Sequence, residues 1–374
     1  MIPFLPWCAK CREVAEKCQV FTLARASGFG YNAIHERVPL GLGRHEESAV
    51  KALITGISGF VGSHLAEYLL AHGGWHVAGT VYGPYDNIQP IMSELELYPA
   101  ELSRLPVVEF ILDRSRPDVI FHLAAMAVTG RSWQDPAATL QANVGMQANV
   151  LQAIVNLKLH CRILVVGSSE EYGVVSPEAP PVPEETAFRP VNPYAVSKIA
   201  QDMLGLQYYL SHRLDTVRVR PFNHIGPRQG LGFVVPDFAC QVAGIEVGTQ
   251  APILRVGNLD AERDFTDVRD VVRAYGLLAL RGDSGEVYNV GSGQAHAIRE
   301  VLRHLVTRSA VPIRVEPDPE RMRPSDIPRM VCNYAKLRAR TGWEPSIPLE
   351  RSLADVLDYW RGQVRAGQKG EKGR

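Results

Sequence analysis

Residues 50–62 read VKALITGISGFVG, and this stretch predicts a strand, a tight turn and the start of a helix. The apolar run at 50–55 has the length of a buried strand and ends at a glycine. From residue 60 to residue 70 the apolar side chains recur at helical spacing. A strand that leads through glycines into an amphipathic helix is typical of an α/β protein.

The turn in this stretch has a glycine at every third position, namely Gly56, Gly59 and Gly62. Glycines at this spacing let the backbone approach a pyrophosphate, and the helix that follows offers amide donors and the positive end of its dipole. The turn therefore predicts a dinucleotide site. The residues that we expect to contact the cofactor here are Gly56, Ser58, Gly59, Phe60, Val61 and Gly62.

The rest of the chain continues the alternation of strands and helices. Further apolar runs occur at 76–82, 118–123, 163–167 and 215–220, and helix-length segments occur at 136–158 and 193–212. Strands that alternate with helices predict a Rossmann-type, doubly wound parallel sheet in an α/β fold, with a smaller C-terminal α/β substrate lobe.

The same pattern predicts how the chain is divided. We expect an N-terminal extension at 1–49, a dinucleotide-binding domain at 50–222, a substrate lobe at 223–361 and a charged tail at 362–374. Parts of the lobe near 257–291 are expected to return to the Rossmann sheet, and open α/β sheets bind ligands at the carboxyl edge of the strands.

Composition limits the classes of partner. The chain has 374 residues with 40 basic and 40 acidic side chains, so no net field favours nucleic acid or an anionic membrane. No run of 18 apolar residues occurs, and the start of the chain lacks the features of a secretory signal. We therefore expect an ordinary globular protein of the cytoplasm.

Within the extension, the one cluster of possible metal ligands is Cys8, Cys11 and Cys18, with His35 and His45 further on. A structural zinc site usually has two paired sets of ligands, and the second pair is missing here. We predict no metal site and a poorly ordered extension.

The second predicted strand ends in GTVYG at 79–83, where an acidic residue would bind the adenosine ribose of NADH. No carboxylate stands there, but no Arg or Lys stands near enough in sequence to hold the 2′-phosphate of NADPH. The choice between NADPH and NADH stays open. Asp86 could serve if its loop folds back.

A second motif, PYAVSK at 193–198, opens a predicted helix and places Tyr194 and Lys198 on one face. We expect the ammonium to lower the pKa of the phenol, so that Tyr194 exchanges a proton with a carbonyl or an alcohol. Ser168 and Ser169 lie in a loop that follows the strand predicted at 163–167.

Together these motifs resemble the extended short-chain dehydrogenase/reductase family, from residue 50 to about residue 361. The resemblance implies catalytic roles for Ser168, Tyr194 and Lys198. Ser168 is preferred to Ser169 because Glu170 then matches a Thr/Ser-x-Glu pattern. The resemblance also implies that Tyr194 and Lys198 contact the cofactor, together with Leu123, Ala124, Ala125 and Pro221.

Three downstream segments, RPFNHIGPR at 220–228, GNLDAERDFTDVRD at 257–270 and RPSD at 323–326, resemble the GDP-4-dehydro-6-deoxy-D-mannose reductases. Arginine forks suit phosphate oxygens and a carboxylate suits a ribose diol. Arg263 and Arg269 could instead pair with neighbouring aspartates. The substrate-binding residues implied by the resemblance are Ser132, Glu170, Asn223, Arg263, Arg323 and Asp326.

The reaction implied is hydride transfer from NADPH or NADH to the 4-keto group of a GDP-sugar, which gives GDP-D-rhamnose. A homodimer through 136–158 and 193–212 is also implied. The alternative is a GDP-mannose 4,6-dehydratase or another NAD(P)-dependent sugar-nucleotide epimerase or dehydratase. The dehydratase is kept because in that sister family a Glu at the position of Glu170 acts during water loss. A binding protein without turnover is disfavoured, since it would not need Ser168, Tyr194 and Lys198.

Overall fold

The computed structural model describes residues 49–322 and 327–372. The strands in chain order are β1 Val50–Thr55, β2 Trp75–Val81, β3 Glu96–Pro99, β4 Val119–His122, β5 Arg162–Val166, β6 Asp215–Pro221, β7 Asn223–Ile225, β8 Ile253–Val256, β9 Glu262–Arg263, β10 Phe265–Asp267, β11 Val287–Val290, β12 His296–Ala297, β13 Arg314–Pro317 and β14 Arg329–Met330.

The α-helices are α1 Phe60–His72, α2 Leu105–Ser115, α3 Thr129–Gln134, α4 Pro136–Asn156, α5 Pro193–His212, α6 Val234–Glu246, α7 Val268–Arg281, α8 Ile298–Val306, α9 Ala335–Thr341 and α10 Leu349–Lys372. Short 3₁₀ helices lie at Gln89–Glu94, Ser169–Glu171 and Pro319–Arg321.

Seven strands form the central sheet in the order β3-β2-β1-β4-β5-β6-β11. All of its pairings are parallel. The strand order reverses direction between β1 and β4, which is the switch point where doubly wound sheets bind ligands. The predicted fold class is therefore confirmed, and the five apolar runs of the sequence correspond to β1, β2, β4, β5 and β6.

Helices cover both faces of this sheet. On one face α2, α4 and α5 pack over buried residues such as Ile120 and Ile163. On the other face α1 and α7 pack over Ile54, Phe121 and Val219. Because both faces are buried, the central strands are apolar throughout and do not alternate with polar residues.

A second core lies in the C-terminal part of the chain. Helices α6, α8 and α10 bury Phe238, Leu302 and Leu357 against one another and against β8. Short sheets connect this part to the main sheet. In one of them β7, which directly follows β6, pairs with β10.

Several predictions fall on residues that the structure does not describe. The cluster of Cys8, Cys11 and Cys18 lies outside the described residues, and so do Arg323 and Asp326. Within 49–322 and 327–372 no group of three or more possible ligands could hold a metal ion. In the same ranges no helix has the length and apolarity needed to cross a lipid bilayer.

Candidate active site

The glycine turn between β1 and α1 closes tightly. Gly56 has φ of 70°, in the left-handed region, and its carbonyl accepts a hydrogen bond from Gly59 N at 3.0 Å. A Cβ on Gly62 would lie 2.3 Å from that same carbonyl oxygen, and a Cβ on Gly56 would lie 3.2 Å from Ala124 Cα. Side chains at these two positions would therefore disrupt the turn or push it away from the end of β4.

The ends of β1 and β4 are joined by a hydroxyl. Thr55 Oγ1 accepts from Leu123 N at 3.0 Å and from Ala124 N at 3.1 Å. Its two lone pairs are then occupied, so its own hydrogen is donated to His122 Nδ1, 3.0 Å away. Leu123 and Ala124, which were predicted to contact the cofactor, thus lie beside the glycine turn.

This bond fixes the protonation of His122. Its Nδ1 accepts, so its hydrogen is on Nε2, a buried atom with no hydrogen-bond partner among the described residues. Burial, followed by the positive charge of Lys198, lowers the pKa of His122 to about 3. His122 is therefore neutral and buried, and it accepts the Thr55 hydrogen that joins the ends of β1 and β4. Its position just before Leu123 in an apolar strand did not indicate this contact.

The turn after β5 presents Ser168 to α5. Ser168 Oγ accepts from Glu170 N at 3.2 Å, and the Glu171 carboxylate accepts from Ser168 N at 2.7 Å. This reciprocal pair is a capping box at the start of the 3₁₀ helix. The Tyr194 phenol lies near enough to the Ser168 hydroxyl for that group to lower the phenol pKa, against the larger effects that raise it. The structure therefore brings these two predicted catalytic groups together.

Helix α5 carries the other predicted catalytic groups. Asn192 caps the helix by accepting from Ala195 N at 2.8 Å, and Pro193 occupies its first turn. Lys198 Nζ donates to Val166 O at 2.8 Å and lies 5.9 Å from the centre of the Tyr194 ring. The ammonium is thus anchored to the carboxyl end of β5.

The pKa of Tyr194 differs from the expectation. Burial raises the pKa of this phenol well above its usual range, and the negative charge of Glu170 raises it further. Burial lowers the pKa of Lys198 to about 8 against the opposing charge of Glu171. The expected lowering of the phenol pKa by Lys198 is therefore wrong for this structure. Sequence spacing placed the two side chains on one face but said nothing of burial.

Glu170 is held by a residue that the sequence reasoning missed. Its Oε2 accepts from Asn192 Nδ2 at 2.9 Å, so a single amide both caps α5 and fixes the carboxylate. The half-buried Glu170 lies near enough to Tyr194 for its charge to act on the phenol. The Asn-Pro pair at 192–193 is a recognisable helix-start signal that could have identified this cap.

A buried network of charged side chains holds the turn after β5 in place. The guanidinium of Arg220 lies 3.0 Å from Glu171 Oε2 and donates to Asp202 Oδ2 at 2.7 Å. It also donates to Tyr172 OH at 3.0 Å. Glu171 is fully buried, and burial together with Asp202 raises its pKa well above the usual range. Glu171 and Arg220 were not predicted, because their partners lie far away in the sequence.

The predicted substrate-binding residues differ in exposure and in the groups that they contact. Asn223 is exposed at the start of β7. Ser132 is buried, and its hydroxyl donates to Thr129 O within α3. Arg263 donates to the carbonyls of Glu262 and Ile327, at 2.9 Å and 2.5 Å.

The alternative pairing proposed for Arg269 is found. Its guanidinium contacts the carboxylates of Asp267 and Asp355, at 2.7 Å and 2.8 Å. Pro221, which was predicted to contact the cofactor, is buried at the end of β6 opposite Val290.

The segment after β2 folds back onto the glycine turn. Asn87 Nδ2 donates to Ser58 O at 3.0 Å, whereas Asp86 is exposed and Tyr82 is 80% exposed. The glycine turn, the first turn of α1 and the end of β4 therefore form a cradle with amide donors at the helix start. These features fit a dinucleotide pyrophosphate.

Known proteins are similar to this one over most of the chain. The family model described as GDP-mannose 4,6 dehydratase matches residues 53–356. GDP-6-deoxy-D-mannose reductase of Pseudomonas aeruginosa is 39% identical over 316 residues, which are 84% of this chain and 98% of that protein.

Two solved structures are also similar. RMD from Pseudomonas aeruginosa complexed with NADPH has a TM-score of 0.74 at 36% identity, over 84% of this chain and 100% of that chain. UDP-glucose 4-epimerase of Thermus thermophilus in complex with NAD has a TM-score of 0.75 at 30% identity, over 84% and 99%. Both of these proteins hold a nicotinamide dinucleotide on the fold described above.

Proposed function

We propose a reaction for a chain that belongs to the GDP-mannose 4,6-dehydratase family of extended short-chain dehydrogenases/reductases. It is an NAD(P)H-dependent oxidoreductase that reduces the 4-keto group of GDP-4-dehydro-6-deoxy-D-mannose and so produces GDP-D-rhamnose. The observation that carries the proposal is that Ser168, Tyr194 and Lys198 come together at the carboxyl end of β5, on the same edge of the parallel sheet as the glycine turn, in a chain 39% identical to a reductase of this type.

The cofactor is NADPH or NADH, and when bound it supplies the hydride that reaches carbon 4. The glycine turn and the first amides of α1 hold its pyrophosphate. Lys198, anchored by the Val166 carbonyl, keeps donors free to hold a ribose hydroxyl. Leu123 to Ala125 line the same cradle.

Tyr194 donates the proton that completes the reduction. The hydrogen of its phenol passes to the oxygen on carbon 4 as the C=O bond becomes a C–OH bond, and Ser168 donates a hydrogen bond to the same oxygen. Burial and the Glu170 charge keep the phenol protonated, which is the form that a proton donor needs.

The GDP group is assigned to the loop cluster at the carboxyl edge of the sheet. Asn223 on β7 is exposed there, and Arg263, Arg323 and Asp326 are proposed to bind the diphosphate and the ribose. Ser132 and Glu170 complete the proposed sugar site. Ser132 would need to release its hydrogen bond to Thr129 O before it could contact substrate.

The second candidate is a GDP-mannose 4,6-dehydratase, which is favoured by the presence of Glu170 beside Tyr194. Elimination needs a group that removes the proton from carbon 5 and supports loss of the carbon 6 hydroxyl, whereas reduction needs neither. Glu170→Gln should therefore keep most of the activity of a reductase on the keto sugar, but should cost a dehydratase about 100-fold or more.

The test is turnover of wild type and Glu170→Gln on two substrates. With the keto sugar, a reductase consumes NADPH or NADH stoichiometrically, and the absorbance of the cofactor falls. With GDP-mannose, a dehydratase recycles its bound cofactor and accumulates the keto sugar. Efficient wild-type conversion of GDP-mannose that is lost in Glu170→Gln would exchange the two assignments.

We also propose that the enzyme works in the cytoplasm as a homodimer joined through α4 and α5. Leu210, near the end of α5, is 58% exposed, which supports an apolar contact on this surface. Light scattering after gel filtration measures the state. Leu210→Glu should shift a dimer to monomer, and a monomeric wild type would refute the dimer.

A further inference from the structure

Arg228, in the loop after β7, links segments that are distant in sequence. Its guanidinium donates to both carboxylate oxygens of Glu67, each at 2.6 Å. The same group donates to Asn87 O at 3.1 Å and to His64 Nδ1 at 2.7 Å. Two of these partners lie on α1, and the third lies in the segment after β2. A planar fork with several donors suits such a junction, and a lysine would not reproduce it.

These partners are attached to the cofactor cradle. Glu67 and His64 belong to the helix that begins at Phe60, and Asn87 donates from its side chain to Ser58 O in the glycine turn. A displacement of the glycine turn or of α1 would therefore move groups that Arg228 contacts. The Arg228 side chain is only 15% exposed, although that of its partner Glu67 is 39% exposed.

His64, on α1, contacts both Arg228 and the backbone of the same loop. Its Nδ1 accepts from Arg228, so its Nε2 carries the hydrogen and donates to Pro227 O at 3.0 Å. Burial and the charge of Arg228 lower the pKa of His64 to about 4, so the ring is neutral near pH 7. The loop is thus held to α1 through its backbone as well as through its side chain.

The same loop continues directly from the proposed substrate strand. Arg228 is a few residues beyond Asn223 on β7, and the ring of His224 stacks on Phe60, with centroids 6.0 Å apart and planes at 10°. A Cβ on Gly226 would lie 2.5 Å from Val268 Cγ1 and 3.4 Å from the Phe60 ring. The segment 223–228 is therefore packed against the first turn of α1.

The backbone at Arg228 is strained in a way that a helix end does not explain. Its φ is 74°, a region that non-glycine residues seldom adopt. The other non-glycine residues with positive φ in the described ranges, Arg116, Lys158 and Arg213, lie at or next to helix C-termini. Strained residues persist where their surroundings hold them, and they cluster at functional sites.

We propose that Arg228 is a positioning residue that couples the cofactor cradle to the substrate strand. The bound dinucleotide orders the glycine turn. Asn87, Glu67 and His64 transmit this ordering to segment 223–228, which then binds the second nucleotide, the GDP group of the substrate, more tightly. The identity of that second ligand rests on the proposed function, but the coupling itself does not. Because binding free energies are linked, the second nucleotide must tighten cofactor binding by the same factor.

The first experiment needs the cofactor alone. Amide hydrogen exchange of segment 223–228 is measured with and without saturating NADPH in wild type, Arg228→Gly and Arg228→Lys. Glycine removes the fork and relaxes the left-handed backbone, whereas lysine keeps the charge. NADPH should slow exchange in the wild type several-fold, and this protection should be absent in Arg228→Gly and reduced in Arg228→Lys. Arg213→Gly, at φ of 59° on the end of α5, is the matched control and should keep it.

The second experiment measures binding of GDP with and without NADPH by calorimetry. NADPH should lower the Kd of GDP at least about fivefold in the wild type and in Arg213→Gly, and the ratio should approach one in Arg228→Gly. Protection at 223–228 that is absent in the wild type, or equal in Arg228→Gly and in the wild type, would overturn the coupling. Intact protection with no GDP binding would instead refute the proposed nucleotide and leave the coupling supported.

Discussion

Tyr194 and Lys198 lie on one turn of α5, yet burial moves their pKa values in opposite directions. The phenol becomes harder to ionise and the ammonium becomes easier to deprotonate. Both shifts have the same origin, because burial disfavours the charged form of either group. The pair therefore holds a protonated phenol over a wide pH range and a cation only below about pH 8.

Tyr194→Phe should bind NADPH almost normally but lose about 10²–10⁴-fold in kcat, because the ring remains and the proton donor is removed. Cofactor fluorescence measures binding, and the decrease in NADPH absorbance measures turnover. Tyr208→Phe on the same helix is the control, since its hydroxyl donates to Gln152 Oε1 outside the site. Unchanged turnover in Tyr194→Phe would remove this residue from the chemistry.

The pH dependence should reflect Lys198. Because its pKa is lowered to about 8, the ammonium is present below that pH and is lost as pH rises through it. We expect kcat/KM for the cofactor to fall on the alkaline side with a midpoint near pH 8. Lys198→Arg should remove this decline, because a guanidinium stays charged. A profile that stays flat well above that pH in the wild type would contradict the assignment.

At the scale of elements, the start of α5 joins helix capping to the placement of a site residue. The sequence predicted the helix and its face from the Pro193 and Tyr194 signals, but it did not predict that Asn192 reaches Glu170. That contact joins two loops, and no local spacing encodes it. The same reason explains why Glu171 with Arg220 was missed, whereas the glycine turn, whose geometry is local, was predicted residue by residue.

Substitutions of Asn192 separate its role as the cap of α5 from its role in holding Glu170. Asn192→Ala should lower the free energy of unfolding by about 1 kcal/mol, because the cap of α5 is lost. Asn192→Ser keeps a capping oxygen and should recover most of that stability, but its shorter side chain cannot hold Glu170. In a reductase both variants should therefore lose no more kcat than Glu170→Gln does. Denaturant unfolding and turnover are measured on both variants. Equal loss of stability in the two would show that the cap is not its source.

At the scale of the molecule, the sheet and the lobe meet at β6 and β7, which follow one another directly. The parallel sheet was predicted because apolar runs of strand length are visible without any partner. β3 was missed, since its ELYP sequence at 96–99 has only four residues, one of them a glutamate and one a proline. The division into domains at residue 222 stays a prediction. So does the binding role of Arg323 and Asp326.

Deletion of residues 1–49 should leave folding and turnover intact, because that segment has no periodic apolar face that would require a partner. The melting temperature and kcat of the shortened chain, compared with those of the full chain, test this. Metal content of the full chain is measured in parallel. Stoichiometric zinc that disappears in a Cys8→Ser, Cys11→Ser variant, with loss of stability, would contradict the prediction.

The place of β11 at the edge of the sheet has an expected consequence for biosynthesis. β11 pairs with β6, although α6, α7 and several short strands separate them in the chain. A ribosome therefore releases β6, with buried Val217 and Val219, well before the strand that covers its edge. An apolar edge without its partner is prone to aggregation. A fragment limited to residues 50–222 should accumulate in the insoluble fraction, whereas a chain of residues 49–372 should stay in the soluble fraction. Nascent chains that stop at the end of β6 should accordingly depend on chaperones.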